Sequence, residues 1–148
     1  MKITTKSLGE VESVAKDFVN NFIPFNRQEK SATVLAFAGD LGSGKTTFTQ
    51  ALARRLGVTT TITSPTFLIQ KVYPLTGQLF NKLIHVDAYR LEKAEELLRL
   101  GFLDLLNDRD NLIIIEWPEK VAEILPTNAV FVKFAFVSET EHTIEYGD

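Results

Sequence analysis

The sequence contains no cysteine and only two histidines, His85 and His142. Disulfides, thiolate nucleophiles and thiolate zinc sites are thereby excluded, and two isolated imidazoles do not make a histidine-rich metal cluster. Any metal held by this chain is bound through oxygen. Positive charge is not in excess either. With 16 Lys and Arg against 19 Asp and Glu the net charge is −3, which speaks against autonomous binding of DNA or RNA. No apolar run approaches the roughly 20 residues that span a bilayer, and the opening Met-Lys-Ile-Thr-Thr lacks the apolar stretch of a secretion signal. No membrane association and a cytoplasmic location are expected. Hydrophobic residues at 45% and charged residues at 24% are ordinary globular values, against a disordered or low-complexity chain. A length of 148 residues suits one domain, 1–148, with a real core.

The pattern along the chain is that of an α/β fold. Ser7-Leu8-Gly9-Glu10 reads as a capping box, with Ser7 as N-cap and Glu10 reaching back. Val11, Val14, Ala15, Phe18, Val19 and Phe22 then recur at helical spacing until Pro24 ends the pattern. Thr33-Val34-Leu35-Ala36-Phe37-Ala38, bounded by Gly39, is a continuous apolar run, as expected of a central strand buried on both faces. Residues 45–56 look helical, with Arg54 and Arg55 near the negative C-terminal end and Gly57 as cap. Segments 67–73 and 79–86 suit an antiparallel hairpin around Pro74-Leu75-Thr76-Gly77-Gln78. A helix over 92–100 stopped by Gly101, a buried strand over 112–116, and a strand pair at 129–137 and 142–146 complete the expectation. No repeat or linker is visible.

The segment Gly39-Asp40-Leu41-Gly42-Ser43-Gly44-Lys45-Thr46 matches G-x-x-x-x-G-K-[ST], and it lies between an apolar strand and a helix, the context that gives the motif meaning. Glycines let successive backbone N–H groups turn inward, and the helix start adds about half a positive charge, so a polyphosphate can sit there. A lysine at a helix N-terminus is at the wrong end for a cation unless an anion joins it. Lys45 is therefore expected to reach the terminal phosphates, Thr46 to offer its hydroxyl to Mg²⁺, and Thr47 to add a phosphate contact.

Such a site needs an acid at the C-terminal end of a neighbouring buried strand to hold the metal or its water. Two strands qualify: Leu83-Ile84-His85-Val86-Asp87 and Leu112-Ile113-Ile114-Ile115-Glu116. The second is the more wholly apolar, which favours Glu116 as metal ligand and leaves Asp87 to orient the attacking water or a metal-bound one. Trp117 packs either on the nucleotide or in the core, Arg90 either steadies phosphate or makes a surface salt bridge, and His85 reads as a strand residue without a catalytic role.

In four ordered blocks the sequence resembles the bacterial TsaE (YjeE) family, small P-loop ATPases of tRNA threonylcarbamoyladenosine synthesis. The blocks are Gly39 to Thr47, Ser64-Pro65-Thr66-Phe67, His85-Val86-Asp87-Ala88-Tyr89-Arg90 and Glu116-Trp117-Pro118-Glu119. The resemblance implies a P-loop NTPase fold, three-layered, with a mixed, mostly parallel central sheet and an antiparallel hairpin. It also implies ATP and Mg²⁺ at Lys45 and Thr46, the metal on Glu116, a second acid at Asp87, an aromatic beside the nucleotide at Trp117 and a switch-like segment at 64–67. Nucleotide contacts would come from Asp40, Leu41, Gly42, Ser43, Gly44, Lys45, Thr46, Thr47 and Trp117. The implied partners are TsaD and TsaB, with TsaD transferring the threonylcarbamoyl group to adenosine 37 of ANN-decoding tRNAs. Phe67 and Ala88 depart from the Tyr and Leu common in the family, and neither change removes a phosphate or metal ligand.

The expected activity is slow ATP hydrolysis completed by a partner, since no dedicated arginine finger is evident. Two alternatives stand beside it: a small-molecule kinase, for which the chain has little length left for an acceptor pocket and lid, and a nucleotide-switched scaffold that does not hydrolyse. GTP is disfavoured because Asn81-Lys82-Leu83-Ile84 lacks the Asp of the guanine-reading motif.

Overall fold

The computed structural model describes residues 1–63, 68–76 and 79–147. The switch-like segment Ser64-Pro65-Thr66-Phe67 lies outside them. Seven strands form one sheet in the order β1-β7-β6-β2-β5-β4-β3. They are β1 (Lys2–Thr5), β2 (Thr33–Ala38), β3 (Gln70–Pro74), β4 (Lys82–Asp87), β5 (Asn111–Glu116), β6 (Val130–Phe136) and β7 (His142–Tyr146). The four middle strands, β6, β2, β5 and β4, are parallel, while β1, β7 and β3 run antiparallel to their neighbours. The expected mixed sheet is thus present, and β3 pairs antiparallel with β4 as expected of the hairpin, whose turn residues Gly77 and Gln78 lie outside the described residues.

Every residue of β5 is buried and so is nearly all of β2, which accounts for their unbroken apolar runs. Alternate residues serve opposite faces. Leu35, Phe37, Leu83, Leu112 and Ile114 meet Ala15 and Phe18 of helix α1 (Leu8–Asp17) and its π-helical extension, and Phe48 and Leu52 of α3 (Lys45–Arg55). Val34, Ile84, Val86, Ile113 and Ile115 meet Leu97 of α4 (Ala94–Leu98), Phe102 of α5 (Phe102–Leu106) and Val121 of a 3₁₀ segment (Pro118–Ile124). Helices therefore cover both faces, giving three layers. Each fully buried Leu, Ile or Phe contributes about 1.5–3 kcal/mol of transfer free energy.

Three local differences from the sequence reading have physical causes. The apolar stripe does not stop at Pro24: a π turn (Phe18–Phe22) leads into α2 (Ile23–Asn26), where Pro24 occupies the first turn. Near a helix start the missing proline N–H costs little. At α1 the Ser7 hydroxyl accepts from the Glu10 N–H (3.1 Å), but the Glu10 carboxylate accepts from Lys6, one residue before the cap (2.7 Å). Gly101, in the left-handed region at φ 84°, ends α4's last turn and also opens α5, a helix the sequence reading did not foresee. No helix among the described residues is long and apolar enough to cross a membrane.

The order of connections positions the site. The chain leaves β2 for α3 on one face and leaves β5 for the 3₁₀ segment on the other. Chain departures to opposite faces open a crevice beyond the C-terminal ends of adjacent parallel strands, the usual ligand position in such sheets. The glycine loop, Asp87 and Glu116 all lie at that end.

Candidate nucleotide site

The loop between β2 and α3 is shaped by three glycines at positive φ: Gly39 (154°), Gly42 (78°) and Gly44 (102°). At Gly39 the requirement is also steric, because a Cβ would stand 2.5 Å from the Phe134 carbonyl oxygen and 2.7 Å from Ser43 Oγ. A backbone contact cannot step aside as a flexible side chain does. Gly39→Ala is expected to cost about 1–3 kcal/mol, read as a lower midpoint in thermal unfolding, and an unchanged midpoint would contradict this loop geometry. Gly44 is the N-cap of α3 and provides no capping side chain, so the amides of the first turn remain available to an anion.

A cavity of about 410 Å³ opens over this loop. Asp40, Leu41, Gly42, Ser43, Gly44, Lys45, Thr46, Thr47, Asp87, Glu116 and Trp117, all named from the sequence, line it together, with Leu68, Ile69, Tyr89 and Arg90 at its edges. Its volume falls within the usual range for small-molecule sites, roughly 300–1,000 Å³. Ser43 Oγ is buried there without a hydrogen-bond partner among the described residues.

Lys45 is buried and folded back onto its own loop, its Nζ donating to the carbonyl oxygens of Gly39 and Asp40, the latter at 3.1 Å. Nζ also stands 4.1 Å from the centroid of the Trp117 ring. Burial lowers its pKa, opposed by the charges of Glu116, Glu119, Asp87 and Asp40. A desolvated ammonium held by two carbonyls and an aromatic face is ready to exchange them for phosphate oxygens.

Glu116 is 3% exposed and closes the end of β5. The Thr46 hydroxyl donates to its Oε1 at 3.1 Å, which ties the start of α3 to the acidic strand end. Asp87 is the register partner of Glu116 across the β4–β5 pair, so both side chains emerge on the same face. Asp87 Oδ1 accepts from the Tyr89 N–H at 3.0 Å, in a turn that holds the carboxylate at the cavity. Trp117 follows at φ 61°, the single non-glycine residue at positive φ among the described residues. Its ring packs on Tyr89 (centroids 5.0 Å apart) as well as on Lys45, so it serves the cavity wall while also touching the apolar cluster beneath. Backbone strain of about 1–3 kcal/mol is the usual price of such a conformation.

One residue that the sequence reading left out stands behind the site without lining the cavity. His85 is fully buried, and its Nε2 lies 2.5 Å from Glu116 Oε2. Its signal was the two-residue step to Asp87, which places both side chains on one face of β4.

The model of the family described as threonylcarbamoyl adenosine biosynthesis protein TsaE matches residues 5–144. This chain belongs to the TsaE family. Among relatives carrying the name tRNA threonylcarbamoyladenosine biosynthesis protein TsaE, that of Borreliella burgdorferi is 40% identical over 98 residues, covering 66% of this chain and 69% of its own. The Bacillus subtilis TsaE is 37% identical over 117 residues, covering 79% and 70%. In three dimensions the chain is similar to the crystal structure of YdiB from Bacillus subtilis, with a TM-score of 0.68 and 28% identity over 97% of this chain and 82% of that one. The matched span, 5–144, contains every residue that lines the cavity.

Proposed function

We propose that this chain binds ATP with Mg²⁺ in the loop cavity and hydrolyses it, slowly alone and faster in complex with TsaD and TsaB, in support of threonylcarbamoyl transfer to adenosine 37 of ANN-decoding tRNA. The observation that carries this reading is the convergence of Lys45, Thr46, Asp87 and Glu116 on one cavity at the glycine loop. Thr46 and Glu116 offer one hydroxyl and one carboxylate, and magnesium suits such a set because it takes oxygen ligands and keeps several waters beside substrate phosphates. When bound there, the ion would neutralise charge on the phosphate oxygens.

The chain's own groups account for the rest. Loop amides and the α3 start cradle the phosphates, and Lys45 leaves the Gly39 and Asp40 carbonyls to neutralise the negative charge spread over the phosphate oxygens in the transition state. Asp87, adjacent to Glu116, orients a water for in-line attack. A second cavity of about 320 Å³ shares Gly42, Ser43, Gly44 and Thr47 with the first and adds Lys6, Val11, Phe48 and His142. The nucleoside end of ATP has room there, on the far side of the loop. Arg90 is the arginine that lines the loop cavity, and it is exposed, so a partner surface is left to complete the charge stabilisation.

Trp117 is the only tryptophan and touches Lys45, so its fluorescence reports occupancy directly. Titration with ATP and Mg²⁺ is expected to change its emission, with tighter binding of ATP than of GTP and weaker binding when Mg²⁺ is removed. The activity itself is tested by phosphate release with and without TsaD and TsaB. No complex and no change in rate would overturn the partner reading; no hydrolysis in either case would overturn the ATPase reading.

A further inference from the structure

Two side chains hold the Glu116 carboxylate, and they hold its oxygens unequally. The Thr46 hydroxyl is nearer Oε1 (3.1 Å) than Oε2 (3.4 Å), while His85 Nε2 is at Oε2 alone, at 2.5 Å. Both residues are almost wholly buried, so this histidine contact is not a solvent-averaged surface pair. A carboxylate oxygen accepts, which assigns the hydrogen to Nε2, while Nδ1 has no partner among the described residues. The ring is fixed by its strand: His85 is opposite Ile114 in the β4–β5 register, two residues before the pair formed by Asp87 and Glu116.

We propose that His85 is a positioning residue for the metal site: its Nε2–H engages Glu116 Oε2, which leaves Oε1, the oxygen nearer the Thr46 hydroxyl, as a single-oxygen ligand. The assignment rests on the reading of Glu116 as a magnesium ligand. A short charge-assisted hydrogen bond removes the carboxylate's freedom to rotate or to grip a cation with both oxygens. Magnesium needs near-ideal octahedral placement of its ligands, so a carboxylate held in one orientation favours it over larger, more tolerant cations such as Ca²⁺.

The test compares two substitutions that separate hydrogen bonding from packing. His85→Phe keeps a ring of similar size and loses the donor; His85→Gln keeps an amide N–H at similar reach and packs less well. Affinity for Mn²⁺, read by electron paramagnetic resonance in the presence of a non-hydrolysable ATP analogue, is expected to fall about 10- to 100-fold in His85→Phe, and to stay within about threefold of the wild type in His85→Gln. Analogue affinity without metal stays unchanged in both. A purely structural histidine gives the opposite ranking, with Phe the better replacement, and that result overturns the assignment. So does equal Mn²⁺ affinity across wild type and both variants. If the wild type shows no nucleotide-dependent Mn²⁺ binding, or Glu116→Gln leaves that binding intact, the metal reading falls and the His85 role falls with it; intact wild-type binding with an indifferent His85 overturns the second alone. Should a variant fail to fold, nitrogen-15 spectra of the wild type decide. With two histidines in the chain, the buried ring is the slowly exchanging one, and it is expected as the Nε2–H form with and without Mg²⁺ and analogue. An Nδ1–H form overturns the proposal.

Discussion

Lys45→Ala, assayed with the partner proteins, is expected to lower ATP turnover about 10²- to 10³-fold, the usual scale for removing one preorganised electrostatic stabiliser. The loss should fall mainly on kcat, because in the proposed reaction the lysine's charge acts on oxygens that become more negative as the γ-phosphate departs. Folding should not suffer. Lys45 is a buried cation whose pKa burial lowers, so alanine removes a desolvated charge along with two carbonyl contacts. Urea unfolding of the variant is expected to match the wild type while phosphate release collapses. Unchanged turnover would remove Lys45 from the chemistry, and a large loss of stability would make it a structural residue.

Phe48→Ala is expected to cost about 3–5 kcal/mol, a large share of the 5–15 kcal/mol that holds a typical domain together. Phe48 is fully buried on α3, three residues into the helix that the loop begins. Its ring meets Phe18 edge-on at 5.4 Å, Phe37 at 5.8 Å and Phe134 at 5.6 Å, so it joins α1's extension, β2 and β6 in one cluster. Truncation leaves a cavity bounded by three other rings on different elements, and such a space collapses poorly. The check is a lower urea midpoint at unchanged slope. A shift equivalent to less than about 1 kcal/mol would mean the cluster repacks, contrary to its interlocked geometry.

The parts of this molecule readable from sequence are those specified locally. The β2 run, the glycine loop and the α3 pattern each announce themselves within a dozen residues, and the structure has β2 and α3 at the expected places. Strand β5 and its terminal Glu116 were legible because burial on both faces leaves an unbroken apolar string. β1 was not: it has four residues, of which Thr5 alone is fully buried, too short for alternation to register. The role of His85 was hidden for a different reason. Its two-residue offset from Asp87 is visible in sequence, but its distance from Glu116 depends on β4 pairing with β5 in a particular register, a contact across 31 positions of chain. Nor could spacing reveal that Trp117 turns into the left-handed region. The residue before a proline ordinarily takes extended backbone, whereas here the left-handed turn accompanies packing of the ring against Tyr89 and Lys45.

The pairing of Phe37 with Glu116 across β2 and β5 has a consequence for quality control of the folded chain. A slide of these strands by one position would send the glutamate to the opposite side of the sheet, among Ile113 and Ile115's neighbours, while leaving the glycine turn able to take up an anion. On the proposed reading of Glu116 as the magnesium ligand, such a misaligned molecule would still hold nucleotide yet be blind to magnesium. If magnesium binds as proposed, cation-dependent tightening of nucleotide would then read out strand alignment, and a preparation's metal response would measure how much of it is correctly assembled.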